Sequence, residues 1–102
     1  MKTKLEIISS KIISGDALQK ALNTWRFQEK KIVFTNGCFD LLHYGHIDYL
    51  SKARDLGDVL IVGLNTDSSI QRIKRKERPI QDQNSRAHIL ASLSFIDAVV
   101  LF

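Results

Sequence analysis

Apolar residues along the chain alternate between a helical spacing and short continuous runs. The spacing from Ser14 to Phe27 predicts an amphipathic helix with Ser14 as its N-cap. Continuous, partly β-branched runs follow at 31–36, 58–65 and 98–102, and each is typical of a strand that is buried in a parallel sheet. The chain therefore predicts one leading helix and three buried strands.

Helical spacing returns between these strands, at 42–56 and at 85–95, and Gly57 stands where a C-cap glycine is expected. The polar and basic residues 71–84, around the single proline, predict an exposed loop. This order of elements predicts an α/β fold with a doubly wound, Rossmann-like parallel sheet. We expect residues 1–30 to form a leader helix packed on the domain, and residues 31–102 to form the domain.

Composition fits a single folded domain with an anionic ligand. The 102 residues suffice for one core, and 44% hydrophobic with 25% charged residues is far from the composition of disordered chains. The formal net charge of +4 favours a phosphate-bearing partner. Nucleic acid is disfavoured because the basic run at 72–78 has no interleaved aromatic residues.

The cysteine count and the distribution of apolar residues bear on the cellular compartment of the protein. The lone Cys38 cannot form an intramolecular disulfide, and the N-terminal residues lack the apolar core of a signal peptide. No apolar run approaches the length of a membrane span. We therefore expect a cytoplasmic protein with no membrane partner.

Polar residues gather where the first two predicted strands end, at 35–46 and 65–67. In open α/β sheets, ligands bind outside the carboxyl ends of the strands. Gly37 permits a sharp turn and a close backbone approach, and the helix that follows offers free N–H groups to a phosphate. His43 and His46 are three residues apart, so their rings share a helix face, and Gly45 leaves access to them open. Two imidazoles that donate to phosphate oxygens would stabilise charge during a transfer reaction.

Competing chemistries have weaker support in the sequence. There is neither a GxxxxGK[ST] nor a GxGxxG motif, which argues against γ-phosphoryl transfer and NAD binding. A zinc site of the two histidines with Cys38 or Asp40 lacks a further cysteine or histidine nearby. Cys38 is interpreted as a small turn residue because no base is placed to activate its thiol. Asp67 fits equally a helix N-cap and a site residue.

The stretch TNGCFDLLHYGH at 35–46 resembles the signature of the cytidylyltransferase-like superfamily of nucleotidyltransferases, which carries an HxGH motif in this strand-to-helix setting. Its first half, TNGCFD, is similar to the adenylyltransferases that make ADP-heptose. Further matching stretches lie at 56–58, 62–67, 78–80, 86 and 97–100. The resemblance covers residues 14–102.

The resemblance implies transfer of AMP from ATP, with Mg²⁺, to a sugar 1-phosphate such as heptose 1-phosphate, with release of pyrophosphate, for lipopolysaccharide core precursors. It implies catalytic roles for His43, His46, Lys74 and Arg86. It also implies nucleotide-binding roles for a second set of residues: Asn36, Gly37, Cys38, Phe39, Asp40, Gly45, Asn65, Asp67 and Arg78. Mg²⁺ is expected mainly on the ATP phosphates, with Asp40 as a direct or water-mediated partner.

The sequence departs from the family pattern at two points, and alternatives to the implied function remain open. Arg75 replaces the glycine that commonly follows the family's lysine, and the C-terminal serine/threonine-rich turn has no counterpart, so the domain is expected to be truncated at its C-terminal end. A glycerol-3-phosphate cytidylyltransferase-like enzyme and a non-catalytic nucleotide-binding module remain alternatives, and a homodimer remains open. Outside the motifs, Trp25, Phe27 and Tyr49 are interpreted as packing residues, and His88 as a structural residue without partners.

Overall fold

The computed structural model describes residues 1–74 and 77–102. Its elements, in chain order, are α1 (Lys4–Ser9), α2 (Gly15–Phe27), β1 (Ile32–Gly37), α3 (Tyr44–Asp55), β2 (Val59–Leu64), α4 (Asp67–Ile73), α5 (Gln83–Ala91) and β3 (Ala98–Leu101). The strands form one parallel sheet in the order β1-β2-β3. The α/β prediction is confirmed, and this sequential order is that of one half of a doubly wound sheet.

Helices cover both faces of the sheet, with β2 at its centre. Every residue of β2 is buried. On one face, Leu50 of α3 and Leu90 of α5 pack in the same core cluster as Leu60. On the other face, Leu22 and Trp25 of α2 pack against the remaining apolar residues of β2 and β3. The helix predicted at 14–27 therefore forms and covers one face of the sheet, while the division of the chain at residue 30 stays a prediction.

The two edges of the sheet differ. The outer edge of β3 is covered by residues 11–13, because the N–H of Ile13 donates to the Val99 carbonyl at 3.0 Å and the N–H of Val99 donates to the Lys11 carbonyl at 2.9 Å. β1 forms the opposite edge and is only partly buried, with Phe34 59% exposed. The prediction that β1 is a buried strand is wrong, because its position at the edge of the sheet was not readable from its own apolar run.

Several helix boundaries also differ from the predicted ones. Gly57 follows α3 as expected, but it does not have a positive φ. A Cβ at this position would lie 2.7 Å from the Lys31 carbonyl oxygen, so the glycine allows close approach to the chain before β1. α5 begins at Gln83, where the Asp82 side chain accepts the Ser85 N–H at 2.7 Å, and it ends four residues before the predicted end. This cap fixes the start of the helix.

Two helices were not predicted from the spacing of apolar residues. α1 begins with a capping box, in which Thr3 Oγ1 accepts the Glu6 N–H and Glu6 Oε1 accepts the Thr3 N–H, both at 3.1 Å. α4 occupies the start of the expected loop at 71–84. Both helices are shorter than two full turns, which is too short for a helical period to be read from the sequence.

The three aromatic packing predictions have mixed outcomes. Trp25 packs on the sheet as expected, whereas Phe27 is 90% exposed. Tyr49 is half exposed, and its hydroxyl group contacts that of Thr35. Arg75, on which the family departure rests, lies outside the described residues. Within the described parts of the chain, no helix is long and apolar enough to cross a membrane.

Candidate active site

The two histidines of the HxGH stretch form the N-terminal cap of α3. His43 is the N-cap residue, and its Nδ1 accepts the Gly45 N–H at 3.0 Å. His46 lies three residues on, and its Nδ1 accepts the His43 N–H at 3.2 Å. The ring centroids are 4.0 Å apart. The rings therefore lie side by side, as their three-residue spacing predicts.

This capping arrangement assigns the tautomer of both rings. A nitrogen that accepts a hydrogen bond carries no proton, so a neutral ring that accepts at Nδ1 has its proton on Nε2. Neither Nε2 atom has a hydrogen-bond partner among residues 1–74 and 77–102. The structure therefore offers two neighbouring N–H donors from neutral imidazoles at the start of a helix, whose dipole also favours an anion.

The pKa of His46 agrees with a neutral ring. Burial, and secondly the neighbouring His43, lower the pKa of His46 below its ordinary value. Protonation of Nδ1 would also remove the acceptor for the His43 N–H. The capping bond and the lowered pKa thus favour the same protonation state at neutral pH.

Close contacts with the side chains of Phe39 and His43 explain why glycine stands at positions 37 and 45. Phe39 is buried, has a φ of 47° and packs edge-on against His46, with the ring centroids 5.4 Å apart. A Cβ on Gly37 would lie 2.9 Å from the Phe39 ring, and one on Gly45 would lie 2.8 Å from His43 Cε1. A left-handed backbone is unfavourable for a bulky residue and persists only where its surroundings impose it. Both glycines make room for protein side chains, in addition to any approach of a ligand.

Asp40, which follows β1, links the end of that strand to the segment before α5 through hydrogen bonds and an ion pair. Its carboxylate accepts the Ile80 N–H at 2.8 Å and the Gln81 N–H at 3.0 Å, and it pairs with the Arg78 guanidinium at 3.2 Å. Burial raises the pKa of Asp40, but the hydrogen bonds from Gln81, Ile80 and Arg78 together hold it below its ordinary value. The carboxylate is therefore ionised and already satisfied by protein donors.

Arg86 is the most deeply buried charged residue of the described chain. Its Nη1 donates to the carbonyls of Cys38 and Asn65, both at 2.8 Å, and its Nε donates to the Gln81 carbonyl at 2.9 Å. Its Nη2 pairs with Asp67 at 2.7 Å. In this structure the guanidinium donates to protein atoms, whereas the resemblance implies a cation near the substrate phosphates. A direct catalytic role for Arg86 stays a prediction.

The polar side chains that follow β2 mainly make hydrogen bonds within the protein. Asn65 is buried, its side chain donating to Ser69 Oγ at 3.3 Å and accepting from the Cys38 thiol at 3.8 Å. Thr66, not Asp67, is the N-cap of α4. Asp67 is the first residue of the helix, so its interpretation as an N-cap is wrong.

The other predicted site residues lie at the exposed side of the described chain. Asn36, Gly45 and Lys74 are exposed, and Arg78 is exposed apart from its pairing with Asp40. Lys74 is the C-cap of α4, and the structure gives no contact that joins its side chain to the histidines. The structure therefore brings together the clusters after β1 and β2, the segment around Arg78 and Arg86, but not Lys74.

The residues present do not fit a protein-held Mg²⁺ at Asp40. Both carboxylate oxygens of Asp40 already accept hydrogen bonds from backbone N–H groups, and one of them also pairs with Arg78. A direct Mg²⁺ contact would have to displace these donors. Among the described residues no three His, Cys, Asp or Glu side chains are grouped as a metal site would require. Direct Mg²⁺ binding by Asp40 would compete with these donors, and the expected direct or water-mediated role of Asp40 stays a prediction.

Two glutamines and a histidine make contacts that sequence reasoning missed. The Gln81 carbonyl accepts from Arg86, and Gln83 Oε1 accepts the Asp67 N–H at 2.9 Å. No local pattern marks them, because both contacts depend on how α5 lies against the strand ends. His88 has partners as well, since its Nε2 lies 3.1 Å from Ser9 Oγ and its Nδ1 lies 2.8 Å from the Asn84 carbonyl. It joins α1 to α5 and is a structural residue.

A parallel α/β sheet with a histidine pair capping the first crossover helix defines a nucleotidyltransferase domain of the HxGH type. The chain belongs to the cytidylyltransferase-like family, whose model matches residues 34–102. It is 58% identical over 93 residues to the bifunctional protein HldE of Citrifermentans bemidjiense, covering 91% of this chain and 19% of the relative. It is also 58% identical over 97 residues to the protein of the same name from Helicobacter hepaticus, covering 95% and 20%. The chain thus spans about one fifth of the length of these relatives.

A solved structure supports the same assignment. The lipopolysaccharide core biosynthesis protein from Thermoplasma volcanium matches with a TM-score of 0.66 and 37% sequence identity. The match covers 72% of this chain and 58% of that one. The Rossmann-like fold expected from the sequence is confirmed by this match.

Proposed function

We propose that the chain provides the catalytic site of an adenylyltransferase, which transfers AMP from ATP to a sugar 1-phosphate, with heptose 1-phosphate as the preferred acceptor. The observation that carries this proposal is the pair of neutral Nε2–H donors at the start of α3. Donors fixed before the reaction stabilise developing negative charge without having to reorganise. Phosphoryl and nucleotidyl transfer depend chiefly on such positioning and charge stabilisation.

The proposed reaction needs no general base. An oxygen of the acceptor's phosphate, already an anion, attacks the α-phosphorus of ATP, and a new P–O bond forms. The bond between the α-phosphorus and the oxygen bridging to the β-phosphate breaks, and pyrophosphate leaves with that electron pair. His43 and His46 donate from Nε2 to the phosphate oxygens on which charge accumulates. No proton is transferred in this step, and Mg²⁺ enters as part of the ATP substrate.

Support for the acceptor and pathway comes from similarity. The TNGCFD stretch resembles ADP-heptose-forming adenylyltransferases, and the solved neighbour is named as a lipopolysaccharide core biosynthesis protein. We expect such an enzyme to work on small molecules in the cytoplasm. Lys74 and Arg78 are proposed as additional phosphate contacts, since both are cationic and exposed.

The nucleotide-facing residues are also part of the proposal. The main chain at Cys38 and Phe39 and the exposed Asn36 are proposed to lie along the nucleotide, while Gly37 and Gly45 allow the surrounding side chains to pack. Asp40, Asn65 and Asp67 are proposed to act through the protein contacts that they make. The two groups of residues differ in what substitution should do. Replacing a residue that contacts the nucleotide should change the kinetics without a change in fold, whereas replacing a residue that acts through protein contacts should also disturb the fold.

The test is a pyrophosphate-release screen of the 102-residue chain with ATP or CTP against heptose 1-phosphate, other sugar 1-phosphates and glycerol 3-phosphate. Release with ATP and heptose 1-phosphate, lowered roughly a hundred- to a thousand-fold in His46→Ala, is the expected result. His88→Asn is the matched control, because it removes the third imidazole away from the proposed site. Preference for CTP and glycerol 3-phosphate would replace the proposal by the cytidylyltransferase alternative. Nucleotide binding by calorimetry without turnover on any acceptor would favour a non-catalytic binding module.

A further inference from the structure

One buried side chain joins three turns beside the proposed site. The side chain of Arg86 has no exposed surface, and its donors reach the carbonyls of Cys38, Asn65 and Gln81 at 2.8 to 2.9 Å. These carbonyls follow β1, follow β2 and precede α5. The planar guanidinium has donors in a fixed fork, so it can hold several carbonyls at once. The relative positions of the three turns therefore depend on this one group.

The bond to Cys38 also sets the direction of the next N–H. The Cys38–Phe39 peptide is trans, so its carbonyl and its N–H point in opposite directions. With the carbonyl held at 2.8 Å by Arg86, the Phe39 N–H is directed away from the guanidinium. No hydrogen-bond acceptor for this N–H is found within residues 1–74 and 77–102. Phe39 is also the residue whose ring packs 5.4 Å from that of His46.

We propose that Arg86 is a positioning residue for the phosphate site. It holds the Cys38–Phe39 peptide so that the Phe39 N–H faces the same anion as the Nε2 donors of His43 and His46, and it makes no contact with the phosphate itself. This proposal rests on the proposed function, since it assigns a third donor to that same site.

The first test uses the unaltered, isotope-labelled chain and nuclear magnetic resonance. In the free chain, the Arg86 Nε–H should exchange slowly with solvent and the Phe39 amide quickly, because only the former is hydrogen-bonded. Addition of MgATP should shift the Phe39 amide and the His46 Nε2 resonance strongly and the Arg86 Nε resonance weakly. A protected Phe39 amide in the free chain, or an Arg86 resonance that shifts more than that of Phe39, would overturn the proposal.

The second test compares two Arg→Lys variants. Lysine keeps the charge of residue 86, but its donors all belong to one nitrogen, so Arg86→Lys cannot hold the carbonyls in the positions that Nε and Nη1 of Arg86 serve. In this variant the Phe39 amide and His46 ring resonances of the free chain should move, and MgATP affinity should fall roughly tenfold. Arg54→Lys is the control, because Arg54 holds Gly57 and Asp97 at the other end of α3. It should keep the parental affinity.

The outcomes separate the positioning role from the proposed function. Parental Phe39 resonances and parental affinity in a folded Arg86→Lys chain would show that Arg86 does not position the peptide. If the parental chain fails to bind MgATP, the proposed function is wrong, whereas the free-chain spectra still decide whether Arg86 orients Phe39. If circular dichroism shows that Arg86→Lys does not fold, the exchange of the Phe39 amide in the parental chain decides the question.

Discussion

The two strand-to-helix junctions at the carboxyl edge of the sheet are built alike but satisfied differently. After β1, the helix is capped by the rings of His43 and His46, whose Nε2 atoms have no partner in the described chain. After β2, the helix is capped by Thr66, and Asn65 and Ser69 bond to each other. Side-chain caps stabilise both helix starts. Only the first junction uses cap residues that retain free donors.

The comparison distinguishes a junction that offers free donors from a junction whose polar groups are bonded within the protein. At the β1 junction, Phe39 has a left-handed backbone, and its N–H has no hydrogen-bond partner within the described residues. At the β2 junction, Arg86 and Gln83 satisfy the groups of Asn65 and Asp67. His43 is exposed and His46 is only partly buried, so the donors at the β1 junction are accessible to a ligand. Arg86 of α5 links the two junctions, because it donates to the carbonyls of both Cys38 and Asn65.

The largest effect is expected from removing the histidine donors. His43→Ala and His46→Ala should each lower kcat roughly a hundred- to a thousand-fold, or about 3 to 4 kcal/mol, with modest weakening of ATP binding. The double variant should lose less than the product of the single losses, because both rings serve one site. Steady-state pyrophosphate release measures this. Asn at either position should recover part of the rate, since its amide can cap the helix and donate. Folded alanine variants with parental turnover would contradict the catalytic assignment.

A smaller loss is expected from crowding the His43 ring. In Gly45→Ala the new Cβ would lie 2.8 Å from Cε1 and 3.0 Å from Nδ1 of His43, so the ring must shift. Overpacking of this kind costs about 1 to 3 kcal/mol, and a misdirected donor should lower kcat roughly tenfold. Ser68→Ala is the matched control, because Ser68 is the exposed second residue of α4 as Gly45 is of α3. Equal turnover in both variants would show that the ring position is unimportant.

At the β2 junction, loss of the cap should affect stability more than catalysis. Thr66→Ala removes the acceptor of the Ser69 N–H, which lies at 3.3 Å, and should lower the free energy of unfolding by about 1 kcal/mol. Thermal unfolding would then shift by about 4 to 8 °C, with kcat near the parental value. A large loss of kcat at unchanged Tm would place Thr66 in the reaction and would remove the distinction between the junctions.

The smallest expected effect is a pH dependence at the β1 junction. The pKa of His46 is lowered in the folded chain by burial and by His43, so the unfolded chain binds more protons as the pH falls. The resulting stability is present above the ordinary histidine pKa of about 6.5 and is lost as the pH falls through the lower folded value. Tm recorded between about pH 7 and 5 should therefore decline less in His46→Asn than in the parental chain. His88→Asn serves as the control, and identical declines in parent and His46→Asn would contradict the assignment.

Much of the fold was readable from local patterns. The strands at 58–65 and 98–102 and the helices at 14–27 and 42–56 follow from continuous apolar runs and helical spacing, because burial of an apolar face dictates these periods. The spacing of His43 and His46 likewise placed their rings together. The HxGH and TNGCFD stretches identified the family, since their residue types recur at fixed positions of one turn.

Only the tertiary structure decided which contacts each polar side chain makes. The sequence could not tell that β1 is an exposed edge, that Thr66 and not Asp67 caps α4, or that both oxygens of Asp40 are taken by residues 78–81. In the sequence, Arg86 is indistinguishable from the other cationic residues. In the structure, its guanidinium donates hydrogen bonds to carbonyls that lie 48, 21 and 5 residues away. Such contacts join distant segments, and no local period encodes them. The sequence by itself determined the strands, the longer helices and the family, whereas the packing of α5 against the strand ends decided which charged groups bond within the protein and which donors remain free.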